Sequence, residues 1–266
     1  MVINKWKTLG RALLFCLLCA IAVAVASRLT HNLQGQWSIL LTGLIACCLT
    51  AAFTLIFVKW EGVSLADVGV VPGKKTAWHI LAGFFMGLVL AIIQPLLVLL
   101  MGHAKLTYTA AANPAIIALA LLVYFVLASR EELAFRGYPL QSLNRALGPW
   151  PAQIIVAVIF ALEHVVGGVP WLQAFLGAGV GSILFGIAAL KTKGLALPIG
   201  LHAAWNFGQW ALGFKDNSGL WKVIVEPGYQ HHFEQMQTIA YLIVMVPAIA
   251  LFYFWQRNRG HISVHN

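Results

Sequence analysis

Residues 77–101 read AWHILAGFFMGLVLAIIQPLLVLLM, an unbroken stretch with no Asp, Glu, Lys or Arg. As a helix with ~1.5 Å rise per residue it is long enough to cross the roughly 30 Å hydrocarbon core of a bilayer. It does not alternate polar and apolar positions, which sets aside a membrane β-strand. Seven more hydrophobic runs lie near 9–27, 37–58, 114–141, 151–166, 171–190, 194–211 and 237–256. Over the 266 residues, 61% are hydrophobic and 9% charged, where soluble domains carry roughly 25% charged residues. The mean hydropathy is +0.84. Together these values exclude an ordinary soluble enzyme, a disordered chain and a disulfide-rich secreted scaffold. The expected fold class is all-α: a polytopic membrane protein of about eight transmembrane helices, treated as one domain over 1–266.

The net charge of +9 does not mark a nucleic-acid binder, because the basic residues sit at run ends and form no stripe interleaved with aromatics. They report orientation instead. With eight spans, thirteen of the 17 Lys and Arg residues fall on the side of the N-terminus, and Arg28, Lys105, Lys215 and Lys222 on the other. By the positive-inside bias, both termini are cytoplasmic. Trp6, Trp37, Trp60, Trp78, Trp150, Trp171, Trp210 and Trp255 lie near run ends, where interfacial anchoring explains them. Trp205 falls inside a run. The first run has a basic start and an Ala24-Val25-Ala26 stretch before Ser27, as a cleaved signal would, but its near-full span length favours a retained helix. Cys16, Cys19, Cys47 and Cys48 all lie inside runs and read as packing residues.

The informative residues are the polar ones inside runs. Of eight acids, Glu61, Asp67, Asp216, Glu226 and Glu234 read as loop residues, whereas Glu131, Glu132 and Glu163 fall within spans. A charge at mid-bilayer costs about 3 kcal/mol on insertion scales, so such residues face the protein interior and commonly serve function. Glu132 and Arg136 are four apart in the favourable order for a helical ion pair. Glu131 is rotated by about 100° from Glu132 and free to point elsewhere. Phe160 shares a face with His164, and His202 with Asn206. Counted from the cytoplasmic ends, Glu131, His164, His202 and Asn206 lie at roughly 12–20 Å depth on three helices, one layer reached from the cytoplasmic half. Taken singly, His164, His202 and Asn206 also have a structural reading as interhelical hydrogen-bonding residues. Glu163 points away from His164, and His231, His232, His261 and His265 read as solvent-side histidines.

The ordered trio Glu131-Glu132-x-x-x-Arg136, Phe160-x-x-x-His164 and His202-x-x-x-Asn206 resembles the CPBP family of intramembrane proteases, which includes type II CAAX prenyl endopeptidases and bacteriocin-processing enzymes. The resemblance covers residues 114–211, a catalytic core preceded by accessory helices within 1–101. It implies an intramembrane endopeptidase acting on a membrane-associated substrate, prenylated or leader-peptide in type. Glu131 and His164 would activate water, His202 and Asn206 would stabilise the oxyanion, and Glu132, Arg136 and Phe160 would support them. The chemistry agrees, since imidazole and amide N–H groups are suitable oxyanion donors in a low-dielectric site. Zn²⁺ stays open as a cofactor, with Glu131, His164 and His202 as ligands and water as the fourth. With no His-Glu-x-x-His motif, the reading leans to a glutamate protease that requires no cofactor. The expected partners are the lipid bilayer and a peptide or protein substrate, with no nucleic acid; the oligomeric state is not encoded. The short loops suggest a bacterial cytoplasmic membrane. Two other classes compete: a non-catalytic scaffold or immunity protein of the same family, and a proton-coupled transporter, which would call for repeat symmetry that the chain does not show.

Overall fold

The computed structural model describes residues 4–109, 113–215 and 219–254. Among these residues the chain runs through eight helical columns that match the eight hydrophobic runs. They are α1 (Lys5–Thr30), α2 (Gln36–Glu61), α3 (Thr76–Met101), α4 (Pro114–Glu132) continuing into α5 (Tyr138–Leu147), α6 (Pro149–Val166), α7 (Trp171–Gln173) continuing into α8 (Val180–Thr192), α9 (Ala196–Ala211) and α10 (Gln230–Phe254). Six columns are long and apolar enough to cross a membrane: α1, α2, α3, α6, α7–α8 and α10. The chain is an all-α polytopic membrane protein with one small ribbon, in which β1 (Ala104–Tyr108) pairs antiparallel with β2 (Trp221–Val225). The ribbon was not expected from the sequence. Its side chains are mostly exposed or half-buried, so no long hydrophobic run announces it.

Local chemistry sets the helix ends. Asn4 caps α1 by accepting the Lys7 N–H at 3.1 Å. Gly62 ends α2 in the left-handed conformation that a glycine tolerates best. Asn113 caps α4, with Pro114 at its first position. The α4–α5 column is not a plain helix. Residues Leu133–Gly137 form a π-helical turn, and Gly137 leaves helical geometry at ψ −115°. Pro139 accounts for the break, because it has no N–H to offer Phe135 and its ring crowds that carbonyl. A second π-helical stretch, Ala174–Gly179, joins α7 to α8.

The closest helix pairing is between α3 and α9. A Cβ at Gly83 or Gly87 of α3 would overlap the carbonyl oxygens of Leu197 or Leu201, and a Cβ at Gly200 of α9 would overlap that of Ile80. Farther along, Gly208 faces Ala91. The small residues recur every fourth position, so two backbones meet without intervening side chains, as in membrane helix pairs. Polar contacts extend this seam: Gln209 donates to Gln94 at 3.0 Å, and Gln94 to the Gln237 carbonyl of α10 at 3.4 Å.

Several sequence expectations change. Glu61 is no loop acid. It ends α2, nearly buried, where its carboxylate accepts from Tyr138 and Ser142 at 2.6 Å and pairs with Arg145 at 3.2 Å and Arg11 at 3.7 Å. This cluster ties α1 and α2 to α5. Glu234, His231 and His232 belong to the first turns of α10, and His232 donates to the Met101 carbonyl at 2.8 Å. Trp210 is fully buried against Tyr124 rather than interfacial, because α9 is enclosed by α3 and α4 at that level. Trp6, Trp37, Trp60, Trp78, Trp150 and Trp171 are exposed as expected. Trp255, Arg257, Arg259, Asp216, His261 and His265 lie outside the described residues.

The α3–α9 seam generates a test. Gly200→Val should lower stability by about 1–3 kcal/mol or more, the cost of overpacking against backbone that cannot yield. Gly10→Ala, where nothing lies within 4 Å of the added Cβ, should not. Thermal denaturation of both variants in detergent compares them directly.

Candidate active site

The site assembles where α4, α6, α8 and α9 meet. Its base is an ion-pair network in an apolar box. Glu132 and Arg136 are both fully buried, with Arg136 Nη1 3.4 Å from Glu132 Oε1. The guanidinium lies over the Phe160 ring at 4.5 Å, with Phe185 at 5.5 Å and Phe135 at 5.9 Å. These contacts give a desolvated cation a set of aromatic faces. The expected pairing of Glu132 with Arg136 is therefore present, but it is half of the arrangement. The same Oε1 of Glu132 accepts His202 Nδ1–H at 2.8 Å. That bond fixes which ring nitrogen turns outward. Phe185 stacks on the imidazole with centroids 4.5 Å apart and planes 14° apart, so the His202 ring has little rotational freedom.

His202 Nε2 faces Glu131 Oε2 at 3.6 Å. Glu131 points away from the Glu132–Arg136 pair and has a cation of its own. Arg130 Nη2 reaches Glu131 Oε1 at 3.3 Å, while Arg130 Nη1 donates to Glu163 Oε1 at 2.8 Å. Arg130 is buried and bridges two acids on different helices. Its role was missed because its partner Glu163 is 33 residues away. The available signal was an unexplained acid in a hydrophobic run together with an unexplained arginine in another.

His164 lies in the last turn of α6, and its Nδ1 donates to the Phe160 carbonyl at 2.9 Å. A carbonyl can only accept, so Nε2 carries the lone pair and is the nitrogen available as a base. The motif spacing Phe160-x-x-x-His164 thus has a local cause: Phe160 supplies the carbonyl that sets the His164 tautomer and the ring that covers Arg136. Asn206 accepts from Lys215 Nζ at 2.8 Å through its carbonyl oxygen. A lysine can only donate, so the amide is oriented and its NH₂ end is left as a donor.

His164, His202 and Asn206 line one cavity of about 250 Å³, with Trp205, Phe160, Phe185, Tyr241 and the 177–181 segment. Glu131 does not line it but sits at its edge against His202, and His164, His202, Arg130 and Lys215 are all within electrostatic reach of its carboxylate. Trp205, the tryptophan that broke the interfacial pattern, forms a wall and packs edge-on to Tyr241 at 5.5 Å. Tyr241 in turn donates to the Gly177 carbonyl at 2.6 Å, tying α10 to the second π-helical stretch.

The cavity does not approach the face expected from depth counting. Its lining includes Val169 and Gln173 in and after the α6–α7 connection, on the face away from the N-terminus. The count from residue 151 overlooked that α6 ends at Val166, only two residues beyond His164. As for metal, no group of three or more His, Cys, Asp or Glu side chains among the described residues is placed to hold an ion. Glu131, His164 and His202 do not form such a group, and no step below runs through a metal.

Fold and site together define an integral, multi-pass membrane protein with a buried acid–histidine–amide cavity. Residues 113–208 match the family model for type II CAAX prenyl endopeptidases, Rce1-like, the family that the three motifs resemble. No curated protein matches the chain.

Arg130→Met should leave Glu131 and Glu163 without their shared cation and destabilise the protein by about 3–5 kcal/mol, as breaking a buried pair does. The double variant R130M/E163Q should recover part of that loss. Thermal unfolding of the two single variants and the double variant measures the coupling.

Proposed function

We propose that the cavity hydrolyses a peptide bond of a membrane-associated substrate, using water as the nucleophile. The reading is supported by the convergence of His164, His202 and Asn206 on one apolar cavity, with the Glu131 carboxylate against His202 at its edge. Water placed between Glu131 and His164 Nε2 loses a proton to this pair as it attacks the scissile carbonyl. The developing oxyanion accepts from the Asn206 amide and from the Nε2 side of His202, whose ring Glu132 holds through Nδ1. The proton held by the Glu131–His164 pair then passes to the leaving amine. Glu132, Arg136 and Phe160 take no part in bond making; they position His202 and His164.

The substrate class is a peptide segment delivered from the bilayer, prenylated or bearing a leader sequence. The positive-inside bias, eleven basic residues to four once the buried Arg130 and Arg136 are left out, supports a cytoplasmic N-terminal side, and we read the membrane as a bacterial inner membrane. The scaffold reading makes the opposite prediction for one residue, since a scaffold keeps its phenotype without Glu131.

Glu131→Gln should abolish cleavage at unchanged expression, a loss of at least about 10²-fold. Asn206→Ala should lose about 10²–10³-fold in turnover. Comparing membrane-protein termini in host cells carrying wild-type or Glu131→Gln protein at matched levels supplies the readout. Termini present only with wild type support proteolysis and name the substrate; a phenotype that survives Glu131→Gln supports the scaffold.

A further inference from the structure

A second cavity, of about 530 Å³, lies on the N-terminal face; Ser129 and Leu133, which flank Glu131 and Glu132, border it, but none of the four proposed catalytic groups lines it. The connection 69–76 and the turn between α8 and α9 form its rim, and Lys74, Lys75 and Lys193 line it. No acid lines it, and none of the three lysines makes an ion pair among the described residues. Its floor is apolar, made by Ile80, Leu133 and Ile199. A basic rim over an apolar floor fits an amphiphile with an anionic head better than a free ion or a neutral peptide.

Two further features favour an anion there. Both α3 and α9 begin at this cavity, through Thr76 and Ala196. Neither helix has a side-chain cap or an acid in its first turn, so the positive ends of two helix dipoles face the same space. Lys193 itself sits at φ +51°, a left-handed position that glycine or asparagine occupies more cheaply. Gly69 and Gly194 pack backbone to backbone beside it, with a Cβ on Gly69 coming 3.1 Å from Gly194 Cα. Trp78, in the first turn of α3, is exposed, as at a headgroup boundary.

From this juxtaposition we propose that the cavity between the 69–76 connection and the α8–α9 turn is a binding site for the phosphate headgroup of an anionic phospholipid, with Lys74, Lys75 and Lys193 on the phosphate and an acyl chain along Ile80 and Ile199. The proposal is independent of the proteolytic reading.

The test uses the full chain purified in a neutral detergent. Native mass spectrometry and thermal denaturation are run with phosphatidylglycerol, phosphatidylcholine or inorganic phosphate. Phosphatidylglycerol should bind and raise the melting temperature, whereas phosphatidylcholine should do neither. The variant K74Q/K75Q/K193Q should bind phosphatidylglycerol on the order of 100-fold more weakly, since each lysine near an anionic lipid is worth roughly 1 kcal/mol. Lys193→Gly relaxes the backbone and should melt no lower than wild type without lipid, yet bind less tightly; it keeps the test valid if the triple variant folds poorly. A charge-matched control, K5Q/K7Q/K59Q, should bind within about twofold of wild type. Equal losses in the control and the triple variant would mean general surface attraction and overturn the site. Equal binding of phosphatidylcholine would reduce it to an apolar groove. Displacement of phosphatidylglycerol by inorganic phosphate at millimolar concentration would assign the site to free phosphate and overturn the lipid.

Discussion

One oxygen atom organises the site. Oε1 of Glu132, fully buried, serves both Arg136 and His202. Removing a carboxylate from water is costly, and only close partners offset it. That requirement holds α4, the π-helical turn and α9 in one register. Glu132 sits at the last residue of α4, Arg136 in the wide turn that follows, and His202 seventy residues on. The aromatic rings of Phe135, Phe160 and Phe185 enclose the guanidinium and also limit how the histidine rings can lie. The position of His202 at the cavity thus follows from keeping a buried charge paired. Stability and geometry are set by the same contacts.

A second charge network works differently. Arg130 stands between Glu131 and Glu163, and it lies next to Glu131 in sequence. It holds the proposed base on the side opposite His202, so the carboxylate is suspended between a permanent cation and an imidazole. Arg145 and Arg11 do a comparable task at Glu61, far from the cavity. The two clusters differ in surroundings. Glu61 is served by hydroxyls as well as cations, near a helix end, while Glu131 borders the cavity. Only the second has a ring nitrogen as a neighbour that can exchange a proton.

What the sequence made legible follows from the range of the interaction. Hydropathy is local and strong, so the eight runs correspond to the eight columns, and Gln36–Glu61 or Thr76–Met101 differ from expectation by a few residues at most. The i,i+4 pairing of Glu132 with Arg136 is local too and survives the π-helical turn. His202 on Glu132 and Arg130 on Glu163 are contacts between helices, and no spacing rule encodes them. Trp210 illustrates another limit. Position near a run end suggests an interface, but burial depends on which helices surround that end, and α3 and α4 enclose this one. Glu61 was misjudged for the same reason: four partners from two other helices converge on a residue that looks terminal in sequence. The direction of the cavity was not hidden by a boundary, since the run near 151–166 ends where α6 ends; the depth of His164 was counted from the far end of that run, although the near end lies two residues away.

The glycine ladder between α3 and α9 carries a mechanical consequence. With backbone against backbone at Gly83, Gly87 and Gly200, these two columns move as one beam, and His202 and Asn206 ride on it. The seam cannot be pried apart without displacing His202 and Asn206. The opposite wall is built otherwise. Tyr241 is latched to Gly177 by one hydrogen bond, and the stretch it latches, Ala174–Gly179, is already unwound from regular α-geometry. On the proposed reading, a peptide entering the cavity would therefore meet one fixed wall, which carries His202, and one wall held by a single side-chain hydrogen bond.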